Sequence, residues 1–187
     1  MFAKFSNLLR RFRRDQSGNV TIETVIWVPL LILILGATFS FYEAFRQKSL
    51  NTKAAFTISD ALSRETDPID DEYLDGMLSL LEFLTDSSGP YSMRVTMVRF
   101  SDDDGYLIDW TQARGGFDTL DDATLASMEE NLPKLLNNES VIVVETQTEY
   151  TPTFEVESLQ PQNFYNFVFT RPRFAPKLVW KESTPAA

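Results

Sequence analysis

The sequence predicts an α+β fold: a long N-terminal helix, followed by shorter helices and an antiparallel sheet. No charged residue occurs from Thr24 to Tyr42, a stretch that would span about 28 Å as a helix at ~1.5 Å per residue. No glycine or proline interrupts the chain from Ala37 to Asp67, so the helix is expected to run on to about Arg64. After Pro68, segments with helical spacing give way to segments in which polar and apolar residues alternate.

Composition excludes several classes of function. Cysteine and histidine are absent from the 187 residues, which removes thiol nucleophiles, thiolate metal sites and the commonest general base. The net charge of −10 is unevenly divided, because residues 1–53 are basic overall and the remainder is strongly acidic. Such a body repels phosphates, so nucleic acid is not expected as a partner.

The apolar stretch predicts one membrane crossing. A flank rich in lysine and arginine keeps the N-terminus in the cytoplasm, and Trp27 and Tyr42 fall near the two ends of the stretch, where amphipathic aromatic side chains prefer to lie. The predicted organisation is a basic leader (1–18), a transmembrane helix (19–42), an exported domain (43–182) and a disordered tail (183–187).

Three interpretations of the apolar stretch compete. A cleaved secretory signal would need a small-residue cleavage site, and Thr38-Phe39-Ser40 is a poor one. An uncleaved signal anchor explains everything except Gly18 and Glu23. On that view Glu23 only caps the helix near the headgroups, and Pro29 is a neutral kink. A processed anchor explains Gly18 and Glu23 as well.

The stretch RRFRRDQSGNVTIETVIWVPLLIL carries the third interpretation. It resembles the processing site of type IV prepilins, and more closely the TadE/TadF-like pseudopilins of tight-adherence (Flp-type) pili. The stretches VTMVRFSDDDGYLIDWTQARGG and FTRPRFAPKLVW are also similar to the body of that family. Thr24 departs from the pattern, because Flp pilins favour an aromatic residue there.

This resemblance implies a pilin-like minor pseudopilin that is not an enzyme and needs no cofactor. A prepilin peptidase would cut between Gly18 and Asn19 and leave a single-pass protein in the bacterial inner membrane, with its C-terminal domain in the periplasm. Glu23 would pair with the new N-terminal ammonium of a neighbouring subunit, and Pro29 would ease extraction of the helix from the bilayer. The implied partners are other pilins or pseudopilins and the pilus assembly platform. The alternative is an uncleaved bitopic protein that presents an acidic periplasmic binding domain.

The exported region is expected to contain two more helices and at least four strands. The second helix starts at Pro68 with Thr66 or Asp67 as its cap, and its apolar residues have core spacing. The third helix spans Leu120 to Leu136 and is capped near Thr119 or Asp121. The predicted strands are Tyr91 to Phe100 (with Met93, Val95 and Met97 on one face), Tyr106 to Trp110, Val141 to Tyr150, Phe164 to Thr170 and a short last strand from Leu178 to Trp180.

No pattern of catalytic residues is recognisable. A nucleophile with its base, a phosphate-binding loop and the Ser-x-x-Lys motif are all missing from the sequence. A glycosidase-type carboxylate pair remains an alternative to a scattered acidic surface. The turn from Asp102 to Asp104 is interpreted as solvated rather than as a calcium loop, because a calcium loop is longer and Phe100 stands where its first carboxylate would fall. No metal site is predicted.

Overall fold

The computed structural model describes residues 18–87, 89–152 and 161–182. The leader up to residue 17 and the predicted disordered tail, 183–187, lie outside the described residues. The elements in chain order are α1 (Gly18–Arg64), α2 (Asp71–Thr85), β1 (Tyr91–Ser101), β2 (Gly105–Arg114), α3 (Asp122–Met128), a 3₁₀ turn (Glu129–Asn131), β3 (Ser140–Tyr150) and β4 (Gln162–Thr170). The α+β class with a long N-terminal helix is therefore confirmed.

The four strands form one antiparallel sheet in the order β2-β1-β3-β4. Strands β1 and β2 form a hairpin around the turn from Asp102 to Asp104, which ends at Gly105. Gly105 has a φ of 76°, a left-handed conformation that glycine adopts without steric cost. Both strands are longer than predicted, and β2 extends to Arg114 because it pairs with β1 as far as Met93.

Helices α1 and α2 cover one face of the sheet. The alternation in β1 places Met93, Val95 and Met97 towards them, as predicted. The C-terminal half of α1 contributes Ala54, Ile58 and Leu62 to the same core. The full buried cluster on this face is Ala54, Ile58, Leu62, Ile69, Leu74, Leu81, Met93, Val95, Met97, Ile142, Val144 and Leu178.

The chain between β2 and β3 covers part of the opposite face. A second cluster there comprises Val98, Leu120, Leu125, Leu132, Leu135, Val141 and Val143. This excursion starts at Gly115, where the backbone has a φ of 74° and a Cβ would lie 2.1 Å from the carbonyl oxygen of Tyr91. Only glycine permits so close an approach.

Helix α1 runs alongside β4 from the end of the apolar stretch onwards. Ala44 forms a small cluster with Tyr150 and Phe164. Farther along the helix, Thr52 Oγ1 lies 3.1 Å from Asn166 Oδ1. Near the C-terminal end, the amide of Arg173 donates to the Ser63 carbonyl over 2.8 Å. The sheet end that carries Tyr150 and Phe164 is therefore the end nearest the apolar half of α1.

The predicted start of the second helix is wrong. The helix begins at Asp71, and Asp70 is its N-cap, because the Asp70 carboxylate accepts from the Tyr73 amide at 3.1 Å. The reason lies far along the chain. Ile69 forms a parallel bridge with Trp180, and its amide donates to the Val179 carbonyl over 3.0 Å. This pairing keeps the backbone before Asp70 extended. In place of the short strand predicted from Leu178 to Trp180, the structure has only this isolated bridge.

The third helix is much shorter than the predicted span from Leu120 to Leu136. Asp121 caps it, as one of the two expected candidates, and accepts from the Thr124 amide at 2.8 Å. Its α-helical part ends at Met128. Pro133 explains why no helix follows the 3₁₀ turn, because the residue before a proline avoids the helical region, and Leu132 has an extended ψ of 147°.

Candidate functional site

The N-terminal half of α1 packs against nothing in the described part of the chain. Every residue from Val20 to Leu35 is exposed. The helix is long and apolar enough to cross a membrane by length and composition. Exposed apolar side chains in such a continuous set are unusual on a protein surface in water, and they suit a helix that faces lipid.

The residues of the predicted processing site lie at the start of this helix. Gly18 is the first residue of the described helix and Asn19 follows it. Glu23 lies in the second turn and is exposed, and the first turn of the helix carries no acidic residue. Since the influence of the helix dipole falls off within the first turn, helix capping is a weak explanation for a carboxylate at this position.

Pro29 lies inside α1, and the helix continues on both sides of it. Proline has no N–H to donate to the carbonyl four residues earlier, so the carbonyl of Val25 lacks its usual helical partner. The missing hydrogen bond weakens the helix locally.

A groove lies where α1 leaves the apolar stretch and meets the first residues of β4. Its volume is about 410 Å³. Phe41, Phe45 and Phe164 supply apolar walls, while Lys48, Gln162 and Asn163 supply polar groups. No local sequence pattern indicates this groove, because its two walls are more than a hundred residues apart in the chain.

A buried ion pair lies on the sheet face opposite α1. The Glu145 side chain is 1% exposed and accepts from Arg94 through two bonds, 2.6 Å from Nε and 2.8 Å from Nη2. The Tyr165 hydroxyl donates to the same carboxylate over 2.6 Å. Burial, and then the hydrogen bond with Glu145, raises the pKa of the Tyr165 phenol.

This cluster also fixes the chain that follows β2. Arg94 Nη1 donates to the Asp118 carbonyl over 2.9 Å, and the guanidinium lies 5.3 Å from the centre of the Phe117 ring. The charges in the cluster are paired and their hydrogen bonds are made within the fold. Its geometry therefore points to a structural role rather than to a reactive group. The sequence gives little sign of it, because Arg94 and Glu145 become neighbours only through strand register.

Acidic side chains are otherwise spread over the surface. Asp102, Asp103 and Asp104 are exposed in the β1–β2 turn. Within residues 18–87, 89–152 and 161–182, no three acidic side chains are grouped in a way that could hold a metal ion. Several acids pair with arginines instead, as Asp71 and Asp75 do with Arg114 at 2.5 and 2.6 Å.

Comparison with known proteins adds no relative. No family model, no curated protein and no solved structure matches this chain.

Proposed function

We propose that this protein is a minor pseudopilin of the TadE/TadF type, anchored in the bacterial inner membrane, which takes part in assembling Flp-type pili. The observation that carries the proposal is the form of α1. One unbroken helix of 47 residues begins at Gly18, leaves its apolar half exposed, and packs its second half onto the sheet. A subunit built in this way can be held in a bilayer by one half of the helix while the other half carries a folded domain.

The placement of Glu23 supports the same proposal. A carboxylate in the second turn of a lipid-facing helix is costly unless it is paired. Removal of the leader after Gly18 would create an α-amino group on Asn19, and the same group on a neighbouring subunit would be a suitable partner. The carboxylate would then favour docking between subunits, which is the task of an assembly component.

Processing is tested by producing the full chain with and without a prepilin peptidase and determining its N-terminus by intact mass and sequencing. We expect Asn19 as the first residue when the peptidase is present. Gly18→Leu should block the cut, because a large side chain does not fit where glycine allows close approach of the backbone. The matched control is Thr21→Ala, which should be processed normally. An intact Met1 with active peptidase would refute processing and leave the uncleaved bitopic protein as the better description.

Assembly is tested with Glu23→Ala in a cell that makes the pilus. The variant should insert and be processed normally, yet piliation should fall, because the charge that attracts the neighbouring ammonium is missing. Thr21→Ala serves again as the control for disturbance of the helix start. Normal piliation with Glu23→Ala would show that the ammonium-pairing role is wrong.

A further inference from the structure

We infer that the groove between α1 and β4 binds the headgroup of an anionic phospholipid from the bilayer that holds the apolar half of α1. The inference rests on the proposed membrane location, but not on processing or on pilus assembly. It concerns the groove lined by Phe41, Phe45, Phe164, Lys48, Gln162 and Asn163.

The position of the groove along α1 agrees with the height of lipid headgroups. The uncharged stretch ending at Tyr42 roughly fills a hydrocarbon core of ~30 Å. Lys48 lies six residues farther on, a rise of about 9 Å in a helix. Helical side chains tilt towards the N-terminus of their helix, so the long side chain of Lys48 reaches back towards the bilayer and can place its ammonium in the layer of phosphates.

The chemistry of the groove is complementary to a phospholipid. Lys48 is exposed, and none of the ion pairs among the described residues involves it. The exposed amide side chains of Gln162 and Asn163 can donate to phosphate or glycerol oxygens. Phe41 and Phe45, exposed by 41% and 71%, offer apolar surface for the upper part of an acyl chain.

Local charge favours an anionic headgroup at this place. The domain is acidic as a whole, but between Tyr42 and Ser59 the chain carries Arg46, Lys48 and Lys53 against the single acid Glu43. A basic collar just outside a membrane-spanning helix attracts anionic lipids. The groove lies beside these basic residues, so both its charge and its shape favour an anionic phospholipid.

The experiment measures lipid binding to the full chain in detergent micelles by native mass spectrometry, with phosphatidylglycerol and phosphatidylcholine as the two probes. Wild type should retain phosphatidylglycerol preferentially. Lys48→Ala should weaken that retention about five-fold, since one lysine near the surface contributes on the order of a kcal/mol. Asn163→Asp, which places a carboxylate in the groove, should weaken it as well.

The matched control is Lys53→Ala, which removes the same charge from the same helix outside the groove. It should change retention clearly less than Lys48→Ala. Equal effects of the two lysine variants, or equal binding of the two lipids to wild type, would contradict the proposal that the groove binds an anionic phospholipid. Circular dichroism checks that the variants fold. Extraction of the wild-type chain from membranes by alkaline carbonate would instead refute the membrane location, which separates that failure from a failure of the groove.

Discussion

At the scale of single residues, the strongest constraint in the folded domain is a buried charge that would be costly if it were unpaired. Glu145 is almost fully buried on β3, and it is tolerated there because Arg94 and Tyr165 satisfy both of its oxygens. Burying an unpaired ion costs several kcal/mol. The three side chains therefore enforce the register of β1, β3 and β4 at this level of the sheet, since any slip would separate them.

Substitution of either charged partner should destabilise the domain strongly. Glu145→Ala and Arg94→Ala should each lower the free energy of unfolding by about 3–5 kcal/mol, because each leaves an uncompensated charge. The pair Glu145→Leu with Arg94→Met should cost clearly less than the sum of the single losses. Urea denaturation followed by near-ultraviolet circular dichroism measures all of these. Glu149→Ala, on the same strand but only half-buried, is the control. If Glu145→Ala or Arg94→Ala lowered the free energy of unfolding no more than Glu149→Ala does, the buried pair would be contradicted.

The half-buried Tyr73 makes stability depend on pH in the alkaline range. Burial, followed by the charge of Glu65 and a hydrogen bond with it, raises the pKa of Tyr73 to about 12 from 10.0. A raised pKa in the folded state means that the stabilisation is fully present below pH 10.0 and is lost as the pH rises through about 12. Wild type should therefore lose more stability across this window than Tyr73→Phe. Denaturation at a series of pH values measures this difference, and tyrosinate absorbance is the second readout. Identical slopes of unfolding free energy against pH for the two proteins would contradict the linkage.

At the scale of elements, local pattern predicts the strands well and the helix ends poorly. Alternation in β1 indicates the core face directly, so Met93, Val95 and Met97 could be placed on the core side. The start of α2 depends on Ile69 pairing with Trp180, a contact that no local pattern encodes. The groove and the Arg94–Glu145 pair were missed for the same reason, because both need distant segments to be brought together. The roles of Gly18 and Glu23 stay predictions, and they could be made because the signal that carries them is local.

The cap of α2 should show its effect in a single substitution. Asp70→Ala removes the acceptor for the Tyr73 amide and should cost about 1 kcal/mol of unfolding free energy. Asp67→Ala is the matched control, since this exposed residue lies before the helix and is one of the two caps that the sequence predicts. Thermal unfolding of both variants measures the difference. A larger loss for Asp67→Ala would mean that the helix starts earlier than Asp71.

At the scale of the whole molecule, α1 belongs to two environments at once. Its first half is exposed and apolar, and its second half completes the core beneath the sheet. The helix passes the predicted boundary between residues 42 and 43 without a break. If the apolar half lies in a bilayer as proposed, continuous helix rather than a loop would set the orientation of the domain. The groove beside Lys48 would then stay at a fixed height above the bilayer.

This dual role predicts where the chain can be cut without loss of the fold. A chain that begins at Glu43 should be soluble and unfold cooperatively, because it keeps Ala54, Ile58 and Leu62 in the core. A chain that begins at Asp67 should fail to fold, since burial of Ile58 and Leu62 contributes about 1.5–3 kcal/mol each and the sheet face under α1 would be uncovered. Circular dichroism and thermal melts of the two purified chains decide the matter. Cooperative unfolding of the shorter chain at the same temperature as the longer one would show that α1 is only an attached anchor.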